Sequence, residues 1–326
     1  MRFYLIQISD AKSGNVIRQY TTVTNSGSND GSALRAVIDI PVAPNGSPNG
    51  LAYVKLFGVS FADMNQSQNL NGQTVIVYVG MSKGLPLANP AQTGLVITGT
   101  VYQAFGNWQG NEVTLDLIIS PVFGTPQTLG AVTSQTSFNL SAQWIAGQTL
   151  ESCIRTTLGV AFPNSKVIGG LSSSLVLSQN DVGIYQNVGQ FGSAANTISK
   201  TIITDQNYQG VNIVTTPDKN FRLFDGVANL NEPFQISFLD MIGNATWIGP
   251  NSMQFKTVMR GDLYVGQIIK MPVGSNNINT QSSFSQFRNN TSFQGNLMIM
   301  SLRHVGDSRQ LSADSWVTVV EAVIQL

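Results

Sequence analysis

Val113-Thr114-Leu115-Asp116-Leu117-Ile118-Ile119 places apolar residues at every odd position, with Thr114 and Asp116 between them. Successive side chains of a strand point to opposite faces. This period of two therefore predicts a strand with one face in a core and the other toward water or a partner. The same texture recurs upstream at Phe3–Ile8, Val16–Thr22, Ala33–Ile40, Tyr53–Phe61, Thr74–Val79 and Leu95–Phe105. The separators are rich in Asn, Gly, Ser and Pro, as in Pro44-Asn45-Gly46-Ser47-Pro48-Asn49-Gly50. Such spacing predicts an antiparallel sandwich or barrel of about seven strands.

Downstream the pattern changes. Gly124, Pro126 and Gly130 make Pro121 to about Phe138 a connector. Thr149 is placed to cap a helix through Glu151, Cys153 and Leu158 that Gly159 ends, and Val188, Phe191, Ala195, Ile198 and Ile202 draw the apolar stripe of a second helix. Strands are expected near Leu175–Leu177, Val211–Thr215 and Phe221–Asp225. From Phe234 the β texture returns at Thr246–Ile248, Met253–Met259, Leu263–Met271, Leu297–Arg303 and Trp316–Ile324. Gly274 to Gln294, packed with Asn, Ser and Gln, reads as a long polar loop of the kind that binds partners. The fold class expected is mainly β with a small α/β insert. Its boundaries are an N-terminal β-barrel or sandwich domain at 1–135, a small mixed domain at 136–232 and a C-terminal β-barrel domain at 233–326.

With 42% hydrophobic and 10% charged residues, the 326-residue chain can build a sizeable core, but its surface must be polar mainly through Asn, Gln, Ser and Thr. Seventeen basic and seventeen acidic residues give a net charge of zero. That argues against gripping a phosphate backbone and removes the repulsion that keeps copies apart. The single cysteine, Cys153, excludes an internal disulfide framework and a multi-cysteine zinc site, and its neighbours Leu150, Ile154 and Leu158 predict a buried thiol. Met1 to Asp10 reads as a first strand rather than a signal peptide, and no run reaches the ~18 apolar residues of a membrane span.

The residues that could carry chemistry are few. Gly80-Met81-Ser82-Lys83-Gly84 matches the nucleophile-elbow pattern after a credible strand, and it keeps open a serine hydrolase using Ser82. Pro86 and Pro90 disfavour the helix that an elbow requires, so a plain turn is the competing reading. His304, the single histidine, stands near Asp307 and suggests a general base, or else a strand-end residue bonded to the turn Val305–Ser308. Arg260-Gly261-Asp262 spells an adhesion tripeptide, but equally a glycine turn with a solvated or paired charge couple. Asp39, Asp63, Asp116, Asp181 and Asp240 are scattered without the spacing of a glycosidase pair. Trp108, Trp144, Trp247 and Trp316 read as core or interface anchors before sugar platforms. No catalytic, cofactor or metal residue is assigned.

The run Ile236 to Ile248, then Phe255-Lys256-Thr257-Val258-Met259-Arg260-Gly261-Asp262, Val265-Gly266, Lys270-Met271-Pro272 and Arg303-His304-Val305-Gly306-Asp307-Ser308-Arg309, resembles the baseplate hub proteins of contractile-tailed bacteriophages. In the middle, Phe191-Gly192-Ser193, Tyr208-Gln209-Gly210-Val211-Asn212-Ile213 and Phe224-Asp225-Gly226 are similar to the small domain that those proteins carry between their barrels. The resemblance is best from Trp144 to Val320. It implies a structural, non-enzymatic homotrimer without cofactors. Two tail-tube-like β domains per chain would make a pseudo-sixfold ring joining the hexameric tail tube to the trimeric central spike. Tube, spike and baseplate wedge proteins are the implied partners, without specific nucleic-acid binding or a membrane segment, in a virion assembled in a bacterial cytoplasm. A tube or ring component of a related contractile injection machine is the second reading.

Overall fold

The computed structural model describes residues 2–45, 50–82, 89–121, 140–227, 232–272 and 295–325. The loop Gly274–Gln294, most of the connector after Pro121 and the middle of the Pro44–Gly50 turn lie outside them. The first part is built of β1 (Arg2–Ser9), β2 (Val16–Thr21), β3 (Arg35–Val42), β4 (Ala52–Phe57), a short helix α1 (Phe61–Asn65), β5 (Thr74–Met81), β6 (Gly94–Gln109) and β7 (Glu112–Ser120). The expected strand Tyr53–Phe61 is cut short at Phe57. Gly58 takes φ +80°, a left-handed turn, and the Ser60 hydroxyl then accepts from the Asp63 amide to cap α1.

β7 corrects a second expectation. Val113, Leu115, Leu117 and Ile119 do face the core, yet Thr114 and Asp116 are buried as well. The Asp116 carboxylate accepts from Tyr53 Oη, from Asn107 Nδ2 and Thr114 Oγ1 at 3.1 Å each, and lies 3.6 Å from Lys55 Nζ. Side chains from β4 and β6 thus roof the polar face. A buried carboxylate is tolerated because its lone pairs are used.

The middle contains β8 (Leu140–Trp144), α2 (Leu150–Ala161), β9 (Val167–Gly169), β10 (Asp181–Tyr185), α3 (Val188–Ile202), β11 (Asn212–Thr215) and β12 (Phe221–Phe224). Thr149 caps α2 as expected, accepting from the Ser152 amide. Gly159 does not end it: the helix continues to Ala161, and the amide of buried Phe162 still reaches Leu158 O at 2.8 Å. Leu175–Leu177 supplies a single bridge, Thr149 to Val176, in place of a strand. The core stacks Trp144 on Phe191 at 5.7 Å, with Cys153 buried beside Leu150, Ile154 and Leu158.

The last part contains β13 (Phe234–Gln235), β14 (Thr246–Trp247), β15 (Ser252–Val258), β16 (Ile268–Lys270), β17 (Leu297–Asp307) and β18 (Trp316–Ile324). Leu263–Met271 is a strand only over Ile268–Lys270, because Gly266 adopts φ +86° and packs against the Phe224 ring. The decisive element is β17. One edge pairs with β18 throughout; the other is divided, with Leu297 and Met298 bonding β16 and Leu302–Asp307 bonding Val42–Val37 of β3. A single antiparallel path therefore runs β14-β15-β18-β17-β3-β4-β7-β6-β5-β1-β2. Two β cores share it, and Met259 and Trp316 from the last part belong to the core of the first. Mostly β with a small α/β insert is the fold class of this chain.

Candidate assembly surface

The residues with catalytic character are held apart. Ser82 follows β5 on the surface and its hydroxyl donates to Asn29 Oδ1 at 2.6 Å, while Lys83, Gly84 and Pro86 lie outside the described residues. His304 is sealed inside β17 with Nδ1 3.0 Å from Thr318 Oγ1, so it bonds the neighbouring strand β18 and not the turn after it. Residues three apart on a strand point to opposite faces, and Asp307 accordingly turns away to pair with Arg35 at 2.6 Å. Burial alone would raise the Asp307 pKa, but the Arg35 guanidinium and the Arg309 amide hold it below the usual carboxylate value. Among the described residues no three His, Cys, Asp or Glu side chains gather as metal ligands.

Burial pushes His304 down to about 4. The unfolded imidazole titrates near 6.5, so below that pH the unfolded chain takes up a proton that the folded chain refuses. The histidine's contribution is complete above pH ~6.5 and is lost as the pH falls toward 4. It amounts to roughly 3 kcal/mol across the window. Denaturant midpoints are expected to hold between pH 7.5 and about 6.5 and to fall from there to pH 4.5, and His304→Asn to flatten that fall. No other histidine exists to mimic the effect.

Arg260 is 1% exposed, which removes the adhesion reading of Arg260-Gly261-Asp262. Its Nη1 donates to Asp240 Oδ2 at 2.9 Å, and its Nε and Nη2 form a fork on Asp262 at 2.7 and 2.6 Å. Asp240 Oδ2 also accepts from Gln92 Nε2 at 2.7 Å, and the Gly261 amide donates to Gln92 O at 2.8 Å. Gly261 is required here for proximity, not for a left-handed turn. A β-carbon on it would stand 2.6 Å from the Gly94 carbonyl oxygen. Two backbones touch, one from each β core, and a buried ion cluster centred on Arg260 locks them.

The outer surface shows the opposite character. Among the described residues, β2 and β14 end the large sheet and β10 forms the rim of the two-stranded sheet with β8. An uncovered edge presents backbone donors and acceptors to another chain. On β10, Tyr185 turns inward while Val182 and Ile184 turn outward, 66% and 72% exposed. Phe238 and Leu239 are likewise exposed on the 3₁₀ turn whose next residue, Asp240, is pinned to Arg260. Trp108 meets Phe61 edge-on at 5.2 Å on the surface, whereas Trp144, Trp247 and Trp316 are core. Apolar residues at the outward positions of β10 break the usual inside-outside pattern, and such positions suit an interface. The sequence reading missed them, although Val182 and Ile184 do alternate.

Four of the five scattered aspartates form ion pairs, and exposed Asp181 accepts from the Val182 amide at 2.8 Å. Asp39 pairs with Arg303, Asp63 with Arg18, Asp116 with Lys55 and Asp240 with Arg260. No helix of the described residues is long and apolar enough to cross a membrane.

No protein-family model matches the chain, and no curated protein matches it. Several solved structures resemble it. A 43 kDa tail protein of prophage MuSo2 from Shewanella oneidensis has 10% identity and a TM-score of 0.48, over 100% of this chain and 99% of the other. A tail protein from Neisseria meningitidis has 10% identity and a TM-score of 0.45, over 99% and 96%. An Escherichia coli type VI secretion component, described as structurally similar to the T4 bacteriophage tail proteins gp27 and gp5, has 9% identity and a TM-score of 0.47, over 89% and 73%. At that distance no residue's role passes from them to this chain.

Proposed function

We propose that this chain is a structural component of a phage-tail-type injection machine, and specifically its hub. In this role three copies form a pseudo-sixfold ring between a sixfold tube and a threefold spike, and contact tube, spike and wedge proteins. The observation that carries the reading is the divided strand β17, which fixes two β cores side by side in one chain, backed by the Arg260 cluster. Two β units at one fixed angle are what each of three copies must supply to a six-unit ring. The sequence resemblance over Trp144 to Val320 and the chain's net charge of zero support the same reading. The boundaries 1–135, 136–232 and 233–326 belong to this proposal as its two ring units and the insert.

Sedimentation of the purified chain is expected to give a species three times the 35.0 kDa protomer. Ile184→Asp on the exposed face of β10 should shift it toward protomer while leaving the circular dichroism spectrum of the folded chain unchanged. A wild-type chain that stays monomeric at tens of micromolar would overturn the hub reading.

A further inference from the structure

A cavity of about 360 Å³ opens between β12 of the mixed unit and the strands of the last part, its walls including Phe224, Phe234, Tyr264 and Met298. That volume falls within the ~300–1,000 Å³ range of small-molecule sites. Its cation is Arg222, whose guanidinium carbon sits 3.7 Å above the Tyr264 ring centre. The Nε–H of Arg222 is closed off even from the cavity, which leaves the terminal Nη1 and Nη2 groups to meet a ligand. Burial holds this guanidinium below its ordinary pKa, although Tyr264 and Asp218 partly offset the effect. The contrast with Arg260 is informative: buried Arg260 carries two carboxylates, whereas half-buried Arg222 pairs with none among the described residues.

We propose that this cavity accepts a carboxylate carried on an aromatic or aliphatic stem, the oxygens meeting the Arg222 fork and the stem lying among Phe224, Phe234 and Met298. A guanidinium fork matches a planar carboxylate with two parallel hydrogen bonds, and Tyr264 beneath holds its orientation. Glu232 at the rim is exposed and acts against an anion only weakly through solvent. The site is independent of the hub reading. Two sources can present this chemistry: a free small acid, or an acidic residue or terminus of another polypeptide.

The test titrates the full-length chain with benzoate, benzamide and an N-acetyl-phenylalanyl-glutamate peptide by calorimetry. Benzoate is expected to bind at least tenfold more tightly than benzamide. Arg222→Met should abolish that preference and Glu232→Gln should tighten benzoate about twofold. A tighter peptide assigns the site to a polypeptide partner; tighter benzoate assigns it to a free acid. If Arg222→Met fails to fold, Arg222→Lys serves, since it keeps the charge without the fork and should lose most of the preference. Equal affinity for benzoate and benzamide, or benzoate binding untouched by either Arg222 variant, would overturn the proposal.

Discussion

Arg260→Met is expected to lower the unfolding free energy by about 3–5 kcal/mol, the usual cost of removing one partner from a buried ion pair. Asp240 and Asp262 both lose their cation, but with unequal consequences. Asp262 keeps 29% of its side chain in solvent and can rehydrate, whereas Asp240 is largely enclosed and retains only Gln92. Most of the loss is therefore assigned to Asp240. The double variant Arg260→Met, Asp240→Asn should recover part of it, and chemical denaturation of the four members of this cycle measures the coupling. Additive effects would show that the cluster does not act as a unit.

Trp316→Ala should cost a similar ~3–5 kcal/mol, the range for emptying a buried tryptophan site. Its location makes the outcome diagnostic. Trp316 begins β18 in the last part, yet it packs into the core of β1–β7 and its Nε1 donates to Gly80 O of β5 at 3.0 Å. Hydrogen exchange should accordingly show protection lost in β1, β5 and β6 together with β18. Loss confined to β18 would mean that the two cores unfold independently. Trp316→Phe keeps most of the bulk but removes the hydrogen bond to the Gly80 carbonyl, for a smaller expected loss of about 1 kcal/mol.

Period and turn chemistry carried the β order far. Six of the seven early strands lie close to where alternation put them, because each has one face in the core and a Gly- or Asn-rich break at its end. The caps at Thr149 and Asn187 are local events, though only the first was anticipated. What could not be read was long-range. The pairing of Arg260 with Asp262 was one of the two readings of the triplet, but nothing in it announces the carboxylate 20 residues upstream or the enclosure that Gln92 and Thr318 complete. His304 was legible as a strand residue but not as a sealed one, since its enclosure depends on β18. The outward pair Val182 and Ile184 was missed because a five-residue strand interrupted by Gly183 is a weak signal.

The divided strand β17 also sets a schedule for the chain's own birth. Val42 of β3 finds its partner Leu302 roughly 260 residues later, which is on the order of 10–50 s of ribosomal elongation. Through that interval the first sheet leaves the ribosome with β3 unzipped on one side and no indole over its core. Such delayed, distant pairing slows folding and exposes nascent chains to adventitious strand partners. The first β core is thus completed only once β17 and Trp316 have been made, so a chain cut short before them cannot finish even its opening sheet.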